Sequence, residues 1–238
     1  MWNNARLLNA AAGLLAALAL LGFLFAGLHL LLRSPLFPLR EVTVTGELRN
    51  TPRAAIENAA HGRIGGNFFA ADLAQVRAGF EQLPWVRRVD VRRVWPDRLE
   101  VRLEEHRALA RWSGAGLVNT FGERYPGDAD ARLPLFAGPA GSASEVTRRY
   151  RAFAAILAPL GFGLQELVLT PRHAWRLRLE NGLALELGRD TAEAGVESRL
   201  ARFVAAYPVT LAKFARPHQY VDLRYPNGFA LRVPELKG

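Results

Sequence analysis

The chain has no cysteine, which rules out disulfides, thiolate zinc sites and cysteine nucleophiles. A body of either the cytosol or an oxidising exterior would tolerate that absence. Lysine is nearly absent too, so the formal charge of +9 comes almost wholly from arginine. Nor do the arginines form a run. They alternate with glutamate, aspartate and apolar residues, as solvated strand faces do, so acidic protein partners are the next reading after plain solvation, and no nucleic-acid partner is expected. Catalytic signatures are missing as well. None of the five serines sits in a G-x-S-x-G elbow, and there is no H-E-x-x-H and no P-loop. His29, His61, His106, His173 and His218 are scattered without metal-ligand spacing. Gly62-x-x-Gly65-Gly66 follows a helical pattern where a phosphate loop would follow a strand, so it reads as a turn. Glu104 and Glu105, adjacent at a strand end, point to opposite faces. The chain therefore carries no catalytic, cofactor or metal site that its sequence reveals.

What it does carry is one long uncharged run, Leu7 to Leu32, closed by Arg33. As a helix rising about 1.5 Å per residue it would span roughly 39 Å, against a hydrocarbon core of about 30 Å. Within lipid a continuous helix satisfies every backbone N–H and C=O of the segment. A cleavable signal peptide has a shorter apolar core and a small-x-small cleavage site, which Arg33-Ser34-Pro35 does not supply. A buried globular helix rarely offers so long an uncharged stretch. The run is expected to be a single membrane anchor. Arg6 on one side and Arg33 and Arg40 on the other leave its orientation undecided by charge.

The 205 residues after Arg33 suffice for one or two domains. Ser34-Pro35-Leu36-Phe37-Pro38 is a stiff linker. Val42 and Val44 alternate with polar residues, as in a strand. Thr51-Pro52 predicts an N-cap with proline opening a helix through Ala60. Leu73, Val76, Phe80 and Leu83 mark a second helix, stopped by Pro84. Strands follow at 85–94 and 98–104 around the turn Trp95-Pro96-Asp97. The order β-α-α-β-β makes one α+β unit. A second unit starts near Ala108, with short strands at 108–112 and 116–120. Ser142-x-x-Glu145 reads as a capping box before a helix presenting Val146, Tyr150, Phe153, Leu157 and Leu160. After a strand at 164–169, Trp175, Leu177 and Leu179 turn at Asn181-Gly182 and return as Leu183, Leu185 and Leu187, a hairpin. A helix from about Ala192 to Tyr207 precedes a last hairpin, Tyr220 to Val233, with its turn at Pro226-Asn227-Gly228. The second unit is expected to be a mostly antiparallel sheet with two helices. A C-terminal strand often lies at a sheet edge and can accept a partner's strand, while Arg172 and Arg224 suit carboxylates.

Several stretches resemble the FtsQ/DivIB family of cell division proteins. Leu83-Pro84-Trp85-Val86, Val91-Arg92-Arg93 and Trp95-Pro96-Asp97-Arg98-Leu99 are similar to the end of its POTRA domain. The likeness continues in order through Ala110-Arg111-Trp112, Leu135-Phe136-Ala137-Gly138-Pro139, Ser142 to Val146, Leu200-Ala201-Arg202-Phe203 and Tyr220 to Tyr225. Taken together they point to the proteobacterial FtsQ branch.

The resemblance implies a short cytoplasmic tail (1–10), a transmembrane helix (11–32), a POTRA domain (37–106) and an FtsQ-type β domain (107–238). It implies an inner-membrane protein enriched at the division septum, with a periplasmic body and neither catalysis nor cofactor. Such a protein links early cytoplasmic division proteins to later wall synthesis by binding FtsB, of the FtsB–FtsL pair, through strand addition. Carried over residue by residue, the partner-binding set is Arg172, Arg224, Tyr225, Asn227, Gly228, Phe229, Leu231 and Val233. The POTRA domain is expected to meet other division proteins. Val233 stands where the family often has tryptophan, and Pro226 where it has an acidic residue. Two other readings compete: a POTRA-type chaperone for envelope polypeptides, which would bring a β-barrel or repeated POTRA units, and an envelope enzyme, which would need a nucleophile or metal constellation.

Overall fold

The computed structural model describes residues 5–32, 34–61, 67–128, 132–191, 194–213, 219–225 and 228–232. The chain divides into two compact units, Met1–Glu105 and His106–Gly238.

In the first unit, helix α1 (Ala5–Leu32) carries no acidic residue in its first turn, and its only basic residue in the last turn is His29. Its segment Leu8–Leu32 is long and apolar enough to cross a membrane, and none of it is buried. Ser34 closes the helix, its hydroxyl and N–H both donating to the Leu31 carbonyl at 2.7 and 3.1 Å. Next come β1 (Glu41–Thr45), α2 (Arg53–Ala60), α3 (Leu73–Glu81), β2 (Val86–Val94) and β3 (Arg98–Glu105). The sheet order is β1-β3-β2, with β1 parallel and β2 antiparallel to the central β3. Strand β3 alternates cleanly. Leu99, Val101 and Leu103 are buried with Phe80, Val76 and Val89, while Arg98, Glu100 and Glu104 pair on the other face with Glu41, Arg92 and Arg87 at 2.9, 2.6 and 3.0 Å. Those exposed pairs are each worth under about 1 kcal/mol, so the buried face holds the unit together.

One helix start of this unit differs from the expected one. Thr51 does not cap α2: Pro52 takes the cap position without a side-chain bond. The N–H groups of Arg49, Asn50 and Thr51 are instead received by the Glu105 carboxylate at 2.8–3.2 Å. Helix α3 is capped by Asp72, whose side chain accepts from Ala74 and Gln75.

The second unit contains β4 (Ala108–Trp112), β5 (Leu117–Asn119), β6 (Arg124–Tyr125), β7 (Leu135–Ala137), α4 (Ala143–Leu157), β8 (Leu164–Leu169), β9 (Trp175–Leu179), β10 (Ala184–Gly188), α5 (Val196–Ala206), β11 (Tyr220–Asp222) and β12 (Ala230–Arg232). The strands form one sheet in the order β12-β11-β10-β9-β8-β7-β4-β5-β6. Pairs β4–β7, β7–β8 and β10–β11 are parallel and the others antiparallel. The fold is thus α+β in both units. The Asn181-Gly182 hairpin forms as its chemistry requires: Gly182 has φ +87, and the Asn181 side chain accepts from the Leu183 N–H at 3.0 Å. The Ser142-Glu145 capping box does not form. Ser142 is already helical (φ −84, ψ −1), and its hydroxyl donates to the Pro139 carbonyl at 2.7 Å.

Helices α4 and α5 supply Val146, Phe153, Leu157, Val196, Leu200 and Phe203 to a core completed by the sheet. A buried arginine locks α5 in place. The Arg199 guanidinium donates to the carbonyls of Leu187, Arg189 and Ala194 at 2.6–3.0 Å and to the Thr191 hydroxyl at 3.0 Å. Arg149 on α4 reaches Asp190 at 2.5 Å and also bonds Glu197, tying the start of α5 to α4.

Candidate functional site: the C-terminal sheet edge

The strand register writes two rows across the sheet that both end at β12. The first is Trp112–Phe136–Leu167–Leu177–Leu185–Val221–Leu231. Phe136, Leu167 and Val221 are wholly buried, but Leu231, the last rung, is 36% exposed. No described strand lies beyond it. An apolar side chain on a further strand would complete the row, and the outer backbone groups of a sheet edge are free to pair with one. Phe229 holds the edge in place by packing edge-on against Phe203 of α5, 6.3 Å between centroids.

The second row, Arg176–Glu186–Asp222–Ala230, runs along the opposite face. Its two carboxylates are buried and each is answered by an exposed arginine. Arg176 Nε lies 2.6 Å from Glu186. Arg224 forks onto Asp222, with Nη2 at 2.6 Å and Nε at 2.9 Å, and its own N–H donates to the same carboxylate at 3.0 Å. Those bonds from Arg224 outweigh the opposing effect of burial and hold the Asp222 carboxyl below the usual range. The same pair raises the Arg224 guanidinium above its ordinary value. Tyr220, opposite Arg232 in the hairpin, is pushed upward by burial and by Asp222 and Glu186. Arg224 is fixed in orientation by its partner yet keeps 59% of its side chain exposed.

Arg172 and Arg224 face one open cleft of about 720 Å³, which Arg176, Glu186, Gly188 and Arg189 also line. Arg172 is carried on the rigid β8–β9 turn, where Thr170 and Ala174 pair at 2.8 Å and His173 adopts φ +56. Gly188, at φ +72, lets Arg224 lie flat: a Cβ there would come within 2.9 Å of the Arg224 Cγ. A second cleft, about 450 Å³, continues from Arg176 and Glu186 past Tyr220 and Asp222 to Ala230 and Leu231. The basic cleft thus opens along the face of the sheet that ends at the free strand.

Of the residues singled out from sequence, Arg172 and Arg224 meet in the cleft and Leu231 lies on the edge strand. Tyr225 is exposed, its carbonyl accepting from Arg202 at 3.2 Å. Gly228 and Phe229 are half-buried in the connection that leads into β12. Asn227, Val233 and Pro226 lie outside the described residues. Sequence reading missed Arg176, Glu186, Gly188 and Arg189. The alternation of β9 marked Arg176 as solvent-facing, but only the register shows that it shares a row with Glu186 and Asp222. Among the described residues no group of three His, Asp or Glu side chains could hold a metal ion.

Residues 37–106 match the family model of the FtsQ-type POTRA domain, and residues 110–224 that of the C-terminal part of the cell division proteins FtsQ/DivIB. The cell division protein FtsQ of Burkholderia pseudomallei is 44% identical over 240 aligned residues, covering all of this chain and 96% of that protein. Those of Bordetella pertussis and Nitrosospira multiformis are each 40% identical, over 99% and 98% of this chain and 94% and 99% of theirs. With both family models matched in order and relatives aligned nearly end to end, the chain belongs to the FtsQ/DivIB family of cell division proteins.

Proposed function

We propose that this division protein is a non-catalytic, membrane-tethered scaffold that captures a strand of a partner along β12. The partner of the family resemblance is FtsB, of the FtsB–FtsL pair. A cytoplasmic tail at 1–10 and a span at 11–32 leave the POTRA domain (37–106) and the β domain (107–238) in the periplasm, where the chain joins early cytoplasmic division proteins to septal wall synthesis. The observation that carries this reading is the apolar row that runs buried across the sheet and stops, half-exposed, at Leu231 on the edge strand. An added strand would place an apolar side chain opposite Leu231 and direct acidic side chains into the arginine cleft. Backbone pairing supplies affinity; Arg172 and Arg224 supply selection for carboxylates. Tethering both partners in one membrane raises their effective concentration, so a short edge strand suffices.

Two substitutions separate these contributions. Arg224→Glu sets a carboxylate beside Asp222 and should weaken capture of FtsB–FtsL strongly, while Leu231→Asp should weaken it with Arg172 and Arg224 left in place. Unchanged capture by both variants in a pull-down from membranes would sink the contact assignment.

A further inference from the structure

We propose that the end of the POTRA unit nearest α1 rests on the membrane surface, with Leu36, Phe69 and Trp95 lodged among lipid headgroups and the tops of the acyl chains. The inference builds on the reading that α1 spans the membrane. Beyond α1, these three are the exposed large apolar side chains among the described residues of the first unit, at 70%, 39% and 75% exposure. All three lie at one end, and hydrogen bonds hold them there. Asn67 Nδ2 donates to the Ser34 carbonyl at 2.5 Å, two residues past the end of α1. The Phe68 N–H donates to Phe37 at 2.8 Å, and Asn67 bridges to Pro38. Phe69 packs edge-on against both Phe37 and the buried Phe68. From the end of β2, Arg93 donates to the carbonyls of Phe68 at 2.9 Å and Ala71 at 2.7 Å, while the Arg40 N–H donates to Asp97 at 2.9 Å. The Trp95 turn is thereby fixed beside the linker.

The place suits the chemistry. Leu36 is four residues from the end of α1, so even fully extended chain keeps it within about 14 Å of the helix terminus. The interfacial zone of a bilayer is about 5–8 Å deep on each side, and tryptophan favours it. Single exposed apolar residues need no explanation, but the gathering of every such large residue described in the first unit beyond α1 where the anchor emerges does. Lipid is the occupant because the anchor brings this end to the membrane at no cost of association. The flanking Arg40, Arg92 and Arg98 are matched by Asp97, Glu100 and Glu41 at 4.0, 2.6 and 2.9 Å, and Arg93 is engaged by the Phe68 and Ala71 carbonyls, so apolar groups carry the contact and salt leaves it standing.

The absence of cysteine makes single-site labelling clean. Full-length Phe69→Cys, Trp95→Cys and Leu36→Cys proteins carry a nitrobenzoxadiazole probe in phosphatidylethanolamine–phosphatidylglycerol vesicles with brominated acyl chains. Leu36→Cys repeats the measurement without disturbing the Phe68–Phe69 pair. Leu20→Cys reports the span. Arg53→Cys, 92% exposed and at the far end of β3, roughly 23 Å along the strand, reports the aqueous side. The expected result is quenching of the three test probes at least half as strong as at Leu20, unaltered by salt, with Arg53 unquenched. Quenching at Leu20 with the test probes matching Arg53 overturns the inference and leaves the span standing. A blue shift at the test probes without lipid quenching assigns the patch to a second copy of the chain and also overturns it. No quenching at Leu20 removes the span and the surface contact together.

Discussion

Replacing Arg199 with methionine should destabilise the β domain more than any other single change to a helix-borne charge. Arg199 is only 6% exposed, and among the described residues its bonds go to carbonyls and a hydroxyl, with no carboxylate. Its guanidinium satisfies three carbonyls and one hydroxyl at the end of β10 and in the chain that leads to α5. A methionine of similar length fills the space but leaves those four acceptors facing a gap. Each bond from a charged donor contributes about 1.5–3 kcal/mol, and an acceptor stranded in the interior costs about 1–3 kcal/mol. Water reaching the Arg189–Thr191 turn recovers part of that, so a net loss of about 4 kcal/mol is reasonable. For a cooperative unit of this size that corresponds to a fall in Tm of about 12 °C. Arg199→Lys keeps the charge without the fork and should recover less than half. Thermal unfolding of the full chain in detergent, followed by tryptophan fluorescence in a variant that keeps Trp175 as its single tryptophan, reads the shift. In some proteins a buried charge can be exchanged for a hydrophobe at no cost, because both polar partners leave together. Here three of the four acceptors are backbone carbonyls and remain. A methionine variant as stable as the parent would refute the reasoning.

Gly188→Ala should cost about 1 kcal/mol, from an unfavourable positive φ, and should also swing Arg224 off Asp222, so capture of the partner falls more than stability does; unfolding and pull-down measured on the same preparation separate the two. The pH profile of stability should fall on the acid side. Burial raises the Glu105 pKa, but the Thr51 side chain and the N–H groups of residues 49–51 lower it further, and Arg224 lowers that of Asp222. Both therefore contribute stability that is complete above their unfolded values, near 4.3 and 3.9, and is lost as pH falls through their lower folded values. Glu105→Gln should flatten that slope for the first unit, read by acid titration of its unfolding. Disrupting the Arg149 bonds to Asp190 and Glu197 by Arg149→Ala should loosen the start of α5, seen as faster amide exchange at Val196, whose N–H is held by Asp190 at 2.9 Å.

The fold was legible wherever one face of an element is buried and the other wet. The alternation of β3 and of the β9–β10 hairpin, and the helical spacing of Val146, Phe153 and Leu157, are direct imprints of burial. Short strands left no such imprint: β6 and β7 have two and three residues, and they owe their place to pairing, β6 with its neighbour β5 and β7 with the distant β4 and β8. Caps failed because other partners won: the Ser142 hydroxyl went to the Pro139 carbonyl and the Thr51 N–H to the distant Glu105 carboxylate, and only three-dimensional neighbours decide such contests. Arg199 and Arg202 both read as solvated by residue type, although Arg199, three residues after Val196 and four before Phe203, falls on the buried face of α5. At the candidate site the arginines were visible as residue types at strand ends. Their convergence depends on β11 running parallel to β10, a long-range pairing that puts Asp222 beside Glu186.

Amide hydrogen exchange along Ala230–Arg232, with and without the FtsB–FtsL pair, tests strand capture most directly. Pairing of β12 with a partner strand predicts that the exposed edge amides of these residues slow strongly on binding, while those of β6, at the other edge of the sheet, do not change. Tight binding that leaves 230–232 exchanging as in the free chain would contradict the account.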